Sequence, residues 1–185
     1  EEIAKGPFGR MKFKINSLTD IDIIEKLREA SRAGVHIDMV VRGICCILPG
    51  IPGETDNIHI VSIVGRFLEH SRIYIFGEGP SEKMYISSAD FMTRNTQRRV
   101  ETACPIYDSA VREKIHGIMD ACLADNVKAR ELHSDGSYSP APGGAERVDA
   151  QQLQMDRALA AAAEPEPEPE RAGVITKLLR RIRKS

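Results

Sequence analysis

His70 and Arg72 stand two residues apart in the run Arg66-Phe67-Leu68-Glu69-His70-Ser71-Arg72-Ile73-Tyr74-Ile75-Phe76. The end of this run reads as a strand over 72–76, with His70 at its entry. Side chains two apart on extended backbone share a face, so an imidazole and a guanidinium are predicted to point the same way. The next β-rich run, 84–88, leads into Ser88-Ala89-Asp90, whose polar groups can reach the same patch. This set suits phosphoryl chemistry. Histidine serves as nucleophile or general acid near neutral pH, and arginine stays charged and binds phosphate oxygens in pairs. Glu69 either orients His70 or faces solvent; adjacent strand residues point apart, which favours solvent.

Arg42 sits where a β-run meets Gly43. Strand ends are where α/β folds place ligand groups, although an arginine there also serves as a plain surface ion pair. Thr93-Arg94-Asn95-Thr96-Gln97-Arg98-Arg99 gathers three arginines between strands, as a polyanion surface or as a solvated turn. Ser88, Asp90 and Asn95 either contact phosphate or hold their loop in shape. The other histidines lack matching partners: His36-Ile37-Asp38 and His59-Ile60-Val61 have no cation, His116 falls in a helical run, and His133 stands apart. Cys45, Cys46, Cys104 and Cys122 have no CxxC spacing. That argues against structural zinc and for reduced core cysteines in a cytosolic protein.

These side chains need a scaffold. Ser17-Leu18-Thr19-Asp20 offers a helix N-cap with an acid at the third position. Leu18, Ile21, Ile24, Leu27 and Ala30 then recur at helical spacing, and Gly34 ends the run. Residues 35–41 are β-rich, Leu48-Pro49-Gly50-Ile51-Pro52-Gly53 is a loop, and strands are predicted at 58–64, 72–76, 84–88 and 99–104. Asp108 caps a helix reaching about residue 124, with Val111, Ile115, Ile118, Met119 and Cys122 on one face. The order predicts an α/β domain with a mixed sheet flanked by helices. The loop after Arg42 exceeds ordinary connection lengths, a mark of functional loops.

The folded domain is predicted over 1–139 and a low-complexity tail over 140–185. In the tail, Gly143-Gly144 is flexible, 145–163 is an Ala/Gln-rich candidate helix, and 164–170 alternates Glu and Pro as an extended spacer. Residues 174–184 form a short basic amphipathic end, which either touches an anionic membrane, nucleic acid or polyphosphate or stays solvated. The 185 residues carry a net charge of −1, so charge alone argues for neither nucleic acid nor membrane. No apolar run is long enough to span a bilayer and no signal-peptide pattern is present. Glu1-Glu2-Ile3-Ala4-Lys5 reads as a piece of helix without a preceding Met, so the left boundary is expected to be a cut.

Residues 70–72 and 88–90 resemble the His-x-Lys and Ser-x-Asn layout of the phospholipase D superfamily, with Arg for Lys and Asp for Asn. That fold builds its site from two such motifs, and one is found here, so another chain or a missing domain must complete it. A longer resemblance covers about residues 9–138. Met11-Lys12-Phe13-Lys14-Ile15-Asn16-Ser17-Leu18, Ala33-Gly34-Val35 through Val41-Arg42-Gly43-Ile44-Cys45-Cys46, Ile63-Val64-Gly65-Arg66-Phe67-Leu68-Glu69-His70-Ser71-Arg72 and Tyr85-Ile86-Ser87-Ser88-Ala89-Asp90-Phe91-Met92-Thr93-Arg94-Asn95 occur in the order of the type-1 polyphosphate kinase C-terminal domain. Asn126-Val127-Lys128-Ala129-Arg130-Glu131-Leu132 and Asp135-Gly136-Ser137-Tyr138 resemble that family's last block.

The resemblance implies a phospholipase D-like fold forming half of a two-domain active site. It implies reversible transfer of the terminal phosphate of ATP to inorganic polyphosphate, with Mg2+, through a phosphohistidine in an upstream domain. Arg42 falls on the family's nucleotide-contacting arginine, and His70 on its second active-site histidine, which contacts ATP and assists transfer. Arg72, Ser88, Asp90 and Asn95 remain candidate phosphate or polyphosphate contacts. Phe91 stands where the family often has Trp. The Mg2+ ligands lie upstream in the family, so no metal ligand is named here. The implied setting is a cytoplasmic homo-oligomer without a specific nucleic-acid partner, whose basic tail can meet the inner membrane face. The isolated chain is expected to be inactive. Two alternatives stay open: a homodimeric phospholipase D-type phosphodiesterase or nuclease, and a non-catalytic ATP- or polyphosphate-binding fragment.

Overall fold

The computed structural model describes residues 1–144 and 146–163. The Glu/Pro spacer and the basic end predicted at 164–170 and 174–184 lie outside the described residues. The helices are α1 (Glu2–Lys5), α2 (Ile21–Arg32), α3 (Thr93–Gln97), α4 (Ser109–Ala124) and α5 (Ala150–Ala163). The strands are β1 (Arg10–Ile15), β2 (His36–Val41), β3 (Ile58–Ile63), β4 (Ile73–Phe76), β5 (Lys83–Ser87), β6 (Ala103–Pro105), β7 (Ala129–Leu132) and β8 (Tyr138–Pro140). They form one sheet in the order β6-β5-β4-β1-β2-β3-β7-β8. The pairs β1–β2 and β2–β3 are parallel and the others antiparallel. The mixed sheet flanked by helices is as the sequence predicts.

Strand alternation sorts the core into two layers. Phe13, Ile15, Ile37, Met39, Val41, Ile58 and Ile60 pack with Ile24, Leu27 and Ala30 of α2. Val40, Val61, Ile63, Ile73, Ile75 and Met84 pack with Ile115, Met119 and Cys122 of α4. Strands buried on both faces read as near-continuous apolar runs, which is why His36–Val41 and Ile58–Ile63 were visible in the sequence. Phe91 closes the first layer, 5.2 Å from the Phe13 ring and 5.1 Å from Tyr74.

Several elements differ from prediction. Ser17 does not cap α2; Asp20 does, accepting from the Ile23 amide at 3.1 Å. Leu18 is fully buried and bridges Cys45 and Phe91 as a short extended link, so it cannot open the helix. The strand predicted at 99–104 is confined to Ala103–Pro105. The run 93–99 contains the short helix α3. His70 and Arg72 precede β4, which starts at Ile73, so strand alternation does not relate them. The core-cysteine expectation holds for Cys122 alone, where burial pushes the thiol up to about 11. Cys45 is half-buried, and Cys46 and Cys104 are exposed.

Packing also continues past residue 139. A compact unit spans Glu1–Gln154, and the described part of Met155–Ser185 is the remainder of α5. Asp125 makes this extension. Its Oδ1 accepts from the amides of Val127, Lys128 and Ala129 at 2.7–2.9 Å, and its Oδ2 from Ala150 at 2.7 Å. Burial opposes ionisation, but these four amides outweigh it and hold the carboxyl below the usual range. Asp125→Asn should turn an amide N–H2 toward one of those donors. We expect a loss of about 1–3 kcal/mol of stability, read in thermal melts, with faster amide exchange at the start of α5. Unchanged exchange there would remove Asp125 as the link.

Candidate functional site

The sheet topology gathers scattered sequence at one edge. The three parallel strands β1, β2 and β3 end together, leading into Asn16, Arg42 and residues 64–70. Lys14 pairs with Ile73, so the start of β4 and Arg72 lie at this same edge. Ile73 pairs with Ile86, so β5 delivers Ser88 and Asp90 there as well. The C-terminal ends of parallel strands are the usual ligand edge of an α/β sheet. Topology thus brings together Arg42, His70, Arg72, Ser88 and Asp90, which are 48 positions apart at most.

A buried carboxylate organises them. Asp90 is 3% exposed. Its oxygens accept from Arg72 Nε and Nη2 at 3.2 and 2.9 Å, from the Asn16 amide at 2.7 Å and from Asn16 Nδ2 at 3.0 Å. Asn16 Oδ1 in turn accepts from Arg42 Nε at 2.6 Å. Arg72 also donates to the His70 carbonyl at 3.3 Å. The result is a continuous chain, Arg42–Asn16–Asp90–Arg72–His70 backbone. Burial opposes Asp90 ionisation, but Arg72 and Asn16 outweigh it and hold the carboxyl below its ordinary value. Both Asp90 oxygens and most of the Arg72 fork are thus committed inside the protein. Asp90 and Arg72 form an ion pair at 2.9 Å.

Ser88 and Asn95 serve a related purpose. The Ser88 hydroxyl and the Asn95 amide both donate to Glu101 and hold its carboxyl below the usual range. Asn95 is buried, and its Oδ1 has no hydrogen-bond partner among the described residues. Arg94, Arg98 and Arg99 are exposed beside it.

His70 is exposed, and among the described residues its imidazole has no side-chain partner. The flanking residues are fixed. Lys14, 1% exposed, lies 3.0 Å from Glu69 Oε2 and 3.5 Å from the Ser71 carbonyl. Glu69 therefore turns inward, against the solvent-facing expectation; it sits in a loop, where strand alternation has no force. Three other histidines are engaged elsewhere: His59 with Asp38 at 3.3 Å and Glu131 at 3.6 Å, His116 with Glu82 at 3.0 Å, His133 with Ser139 at 2.7 Å. The Asp38 hydrogen bond raises the His59 pKa. His36 opens β2, at the end of the strand opposite Arg42.

Asn16 and Lys14 are the site residues that local sequence did not single out. Asn16 directly follows β1, as Arg42 follows β2, so its strand-end position was the available signal. A lysine inside the apolar run Phe13-Lys14-Ile15 was another, because a buried ammonium demands a partner. Among the described residues no group of three His, Cys, Asp or Glu is placed to hold a metal ion. Each carboxylate oxygen of Asp90 and Glu101 already accepts from an internal donor.

The mixed sheet flanked by helices has a phospholipase D-like fold. The fold matches a phospholipase D family member, Nuc from Salmonella typhimurium, with a TM-score of 0.52 and 15% identity, covering 71% of this chain and 89% of that one. At that identity the likeness concerns fold alone. The chain belongs to the polyphosphate kinase family, whose "Polyphosphate kinase C-terminal domain 2" matches residues 1–151. It is 52% identical over 139 residues to the polyphosphate kinase of Bacillus anthracis, covering 75% of this chain and 20% of that protein. It is 46% identical over 153 residues to polyphosphate kinase 1 of Chlorobaculum tepidum, covering 83% and 22%. The crystal structure of the Porphyromonas gingivalis polyphosphate kinase superposes with a TM-score of 0.80 at 41% identity, over 87% of this chain and 25% of that one. The chain spans about a fifth of the length of the curated relatives it matches. Among the described residues no helix is long and apolar enough to cross a membrane.

Proposed function

We propose that this domain is the C-terminal half of a longer polyphosphate kinase. In this reading the enzyme reversibly moves the terminal phosphate of ATP onto polyphosphate, through a phosphohistidine on an upstream domain that also holds Mg2+. The carrying observation is the ligand edge itself: an exposed imidazole on a pinned loop, joined through Asp90 and Asn16 to Arg42. Arg42 contributes Nε to that chain, and among the described residues its two Nη groups meet no acceptor. They are the donors for a nucleotide phosphate. His70 assists transfer as acid or hydrogen-bond donor. The exposed Arg94, Arg98 and Arg99 offer positive charge for the polyanion. Use of ATP implies a cytoplasmic enzyme. The phosphodiesterase alternative has only the fold in its favour.

Two assays of the full-length protein test this: ATP-dependent polyphosphate synthesis, and ATP formation from polyphosphate and ADP. Absence of both would refute the reading. The isolated chain lacks the proposed nucleophile and serves as the negative control. Within the same protein, Arg42→Ala should weaken ATP binding by about 1–3 kcal/mol, roughly 5- to 150-fold in Kd. The fold should survive, because Arg42 is half-exposed and lies after the strand. Unchanged ATP affinity would reduce Arg42 to a structural arginine.

A further inference from the structure

We propose that Gln151 is a positioning residue for His70, holding the 65–71 loop in its working shape from the first turn of α5. This rests on the reading of His70 as the phosphotransfer histidine. Gln151 is 7% exposed. Its Oε1 accepts from the Phe67 amide at 3.0 Å, and its Nε2 donates to the Phe67 carbonyl at 2.8 Å. The side-chain amide therefore pairs with both backbone groups of Phe67, as a neighbouring strand would. Nε2 also donates to Glu69 Oε1 at 2.7 Å. The other Glu69 oxygen meets Lys14, which reaches on to the Ser71 carbonyl. Gln151, Glu69 and Lys14 thus grip the backbone or side chains of Phe67, Glu69 and Ser71, on both sides of His70.

Two further features support a built contact. Gly65 has no Cβ; one placed there would lie 2.5 Å from Gln151 Oε1 and 2.9 Å from its Cδ. The glycine makes room for the amide. Next to it, the Ala150 amide is tied to Asp125, which fixes where Gln151 leaves the helix. The loop cannot supply this order itself, since Val64, Phe67 and Leu68 are exposed and bury little. Polar contacts to Gln151 take the place of an apolar anchor. Misplacement of a reacting group by about 1 Å is enough to cost about 100-fold in rate.

The test uses two variants that attack the contact from opposite sides, Gln151→Ala and Gly65→Ala. In the full-length protein each should lower kcat about tenfold or more, with KM for ATP within about twofold, because the interaction lost is made through a transition-state group. The double variant should be no slower than the worse single variant, since both break one contact. In the 185-residue chain, Gln151→Ala should speed hydrogen exchange of the Phe67 amide about tenfold or more while the sheet amides keep their protection. His70→Ala is measured alongside. Reduced turnover in His70→Ala with unchanged kcat in both Gln151→Ala and Gly65→Ala would overturn the proposal and leave the His70 reading intact. Near-normal turnover in His70→Ala would overturn both. A fall in Tm without any change in kcat at a temperature where the variants are folded makes Gln151 merely structural and refutes the positioning role.

Discussion

His70→Ala in the full-length protein should lower phosphotransfer by about 10²–10⁴-fold, the usual worth of a general acid or base, while leaving the domain folded. The imidazole is exposed and contributes nothing to either core layer, so its removal creates no cavity. The backbone holds its place through the His70 amide to Leu68 carbonyl bond and the Arg72 contact to its own carbonyl, neither of which uses the side chain. A strand shared by His70 and Arg72 would have set the imidazole beside a bare guanidinium. The fold does otherwise, pairing that guanidinium with Asp90. On the proposed reading His70 acts through its position at this edge, where substrate phosphates would supply the charge. His70→Gln separates two roles: glutamine keeps a hydrogen bond but does not titrate near neutrality. Activity near wild type across pH in His70→Gln would sink the acid–base role and leave positioning. Melting far below wild type in both variants would make His70 a structural residue and remove the active-site assignment.

The division between what was legible and what was not follows the range of the interactions. The strands with buried faces and α4, capped by Asp108, show in the sequence because period and capping are local. So did the resemblance that singled out Arg42 and His70. The role of Asp90 did not, because it depends on Asn16, 74 residues away, and only the sheet order brings them together. The solvent-facing expectation for Glu69 failed for the same reason: its partners are Lys14 and Gln151, from opposite ends of the domain. The predicted boundary at 139 rests on the Gly-Gly and the Ala-rich composition after it. What ties that stretch to the fold is polar, four amides on Asp125 and one glutamine side chain, and polar links leave no hydrophobic pattern to read.

Loss of Asp90 should be costly to the domain. Asp90→Ala leaves a largely buried guanidinium and a buried amide without their acceptor. Breaking one side of a buried pair costs about 3–5 kcal/mol, which for a domain of this size is a fall of roughly 10 °C or more in Tm. The effect should reach ligand binding as well. The negative carboxylate draws Asn16 Nδ2 toward itself and so turns Oδ1 toward Arg42. Without that charge the amide has no reason to keep this orientation, and Arg42 loses its guide. ATP affinity should fall even at temperatures where Asp90→Ala is folded. Acid gives an independent reading. The carboxyl is held below its ordinary value, so its contribution to stability is complete above the unfolded value, about 3.9. That contribution is lost as pH falls through the lower folded value. Asp90→Asn should therefore be destabilised at neutral pH and show a flatter stability curve at acid pH than wild type. Arg72→Met with Asp90→Leu should recover part of the stability lost in Asp90→Ala, because no charge is then buried alone. If Asp90→Ala melts like wild type, or the double variant is the less stable, the chain from Arg42 to Arg72 does not organise this edge.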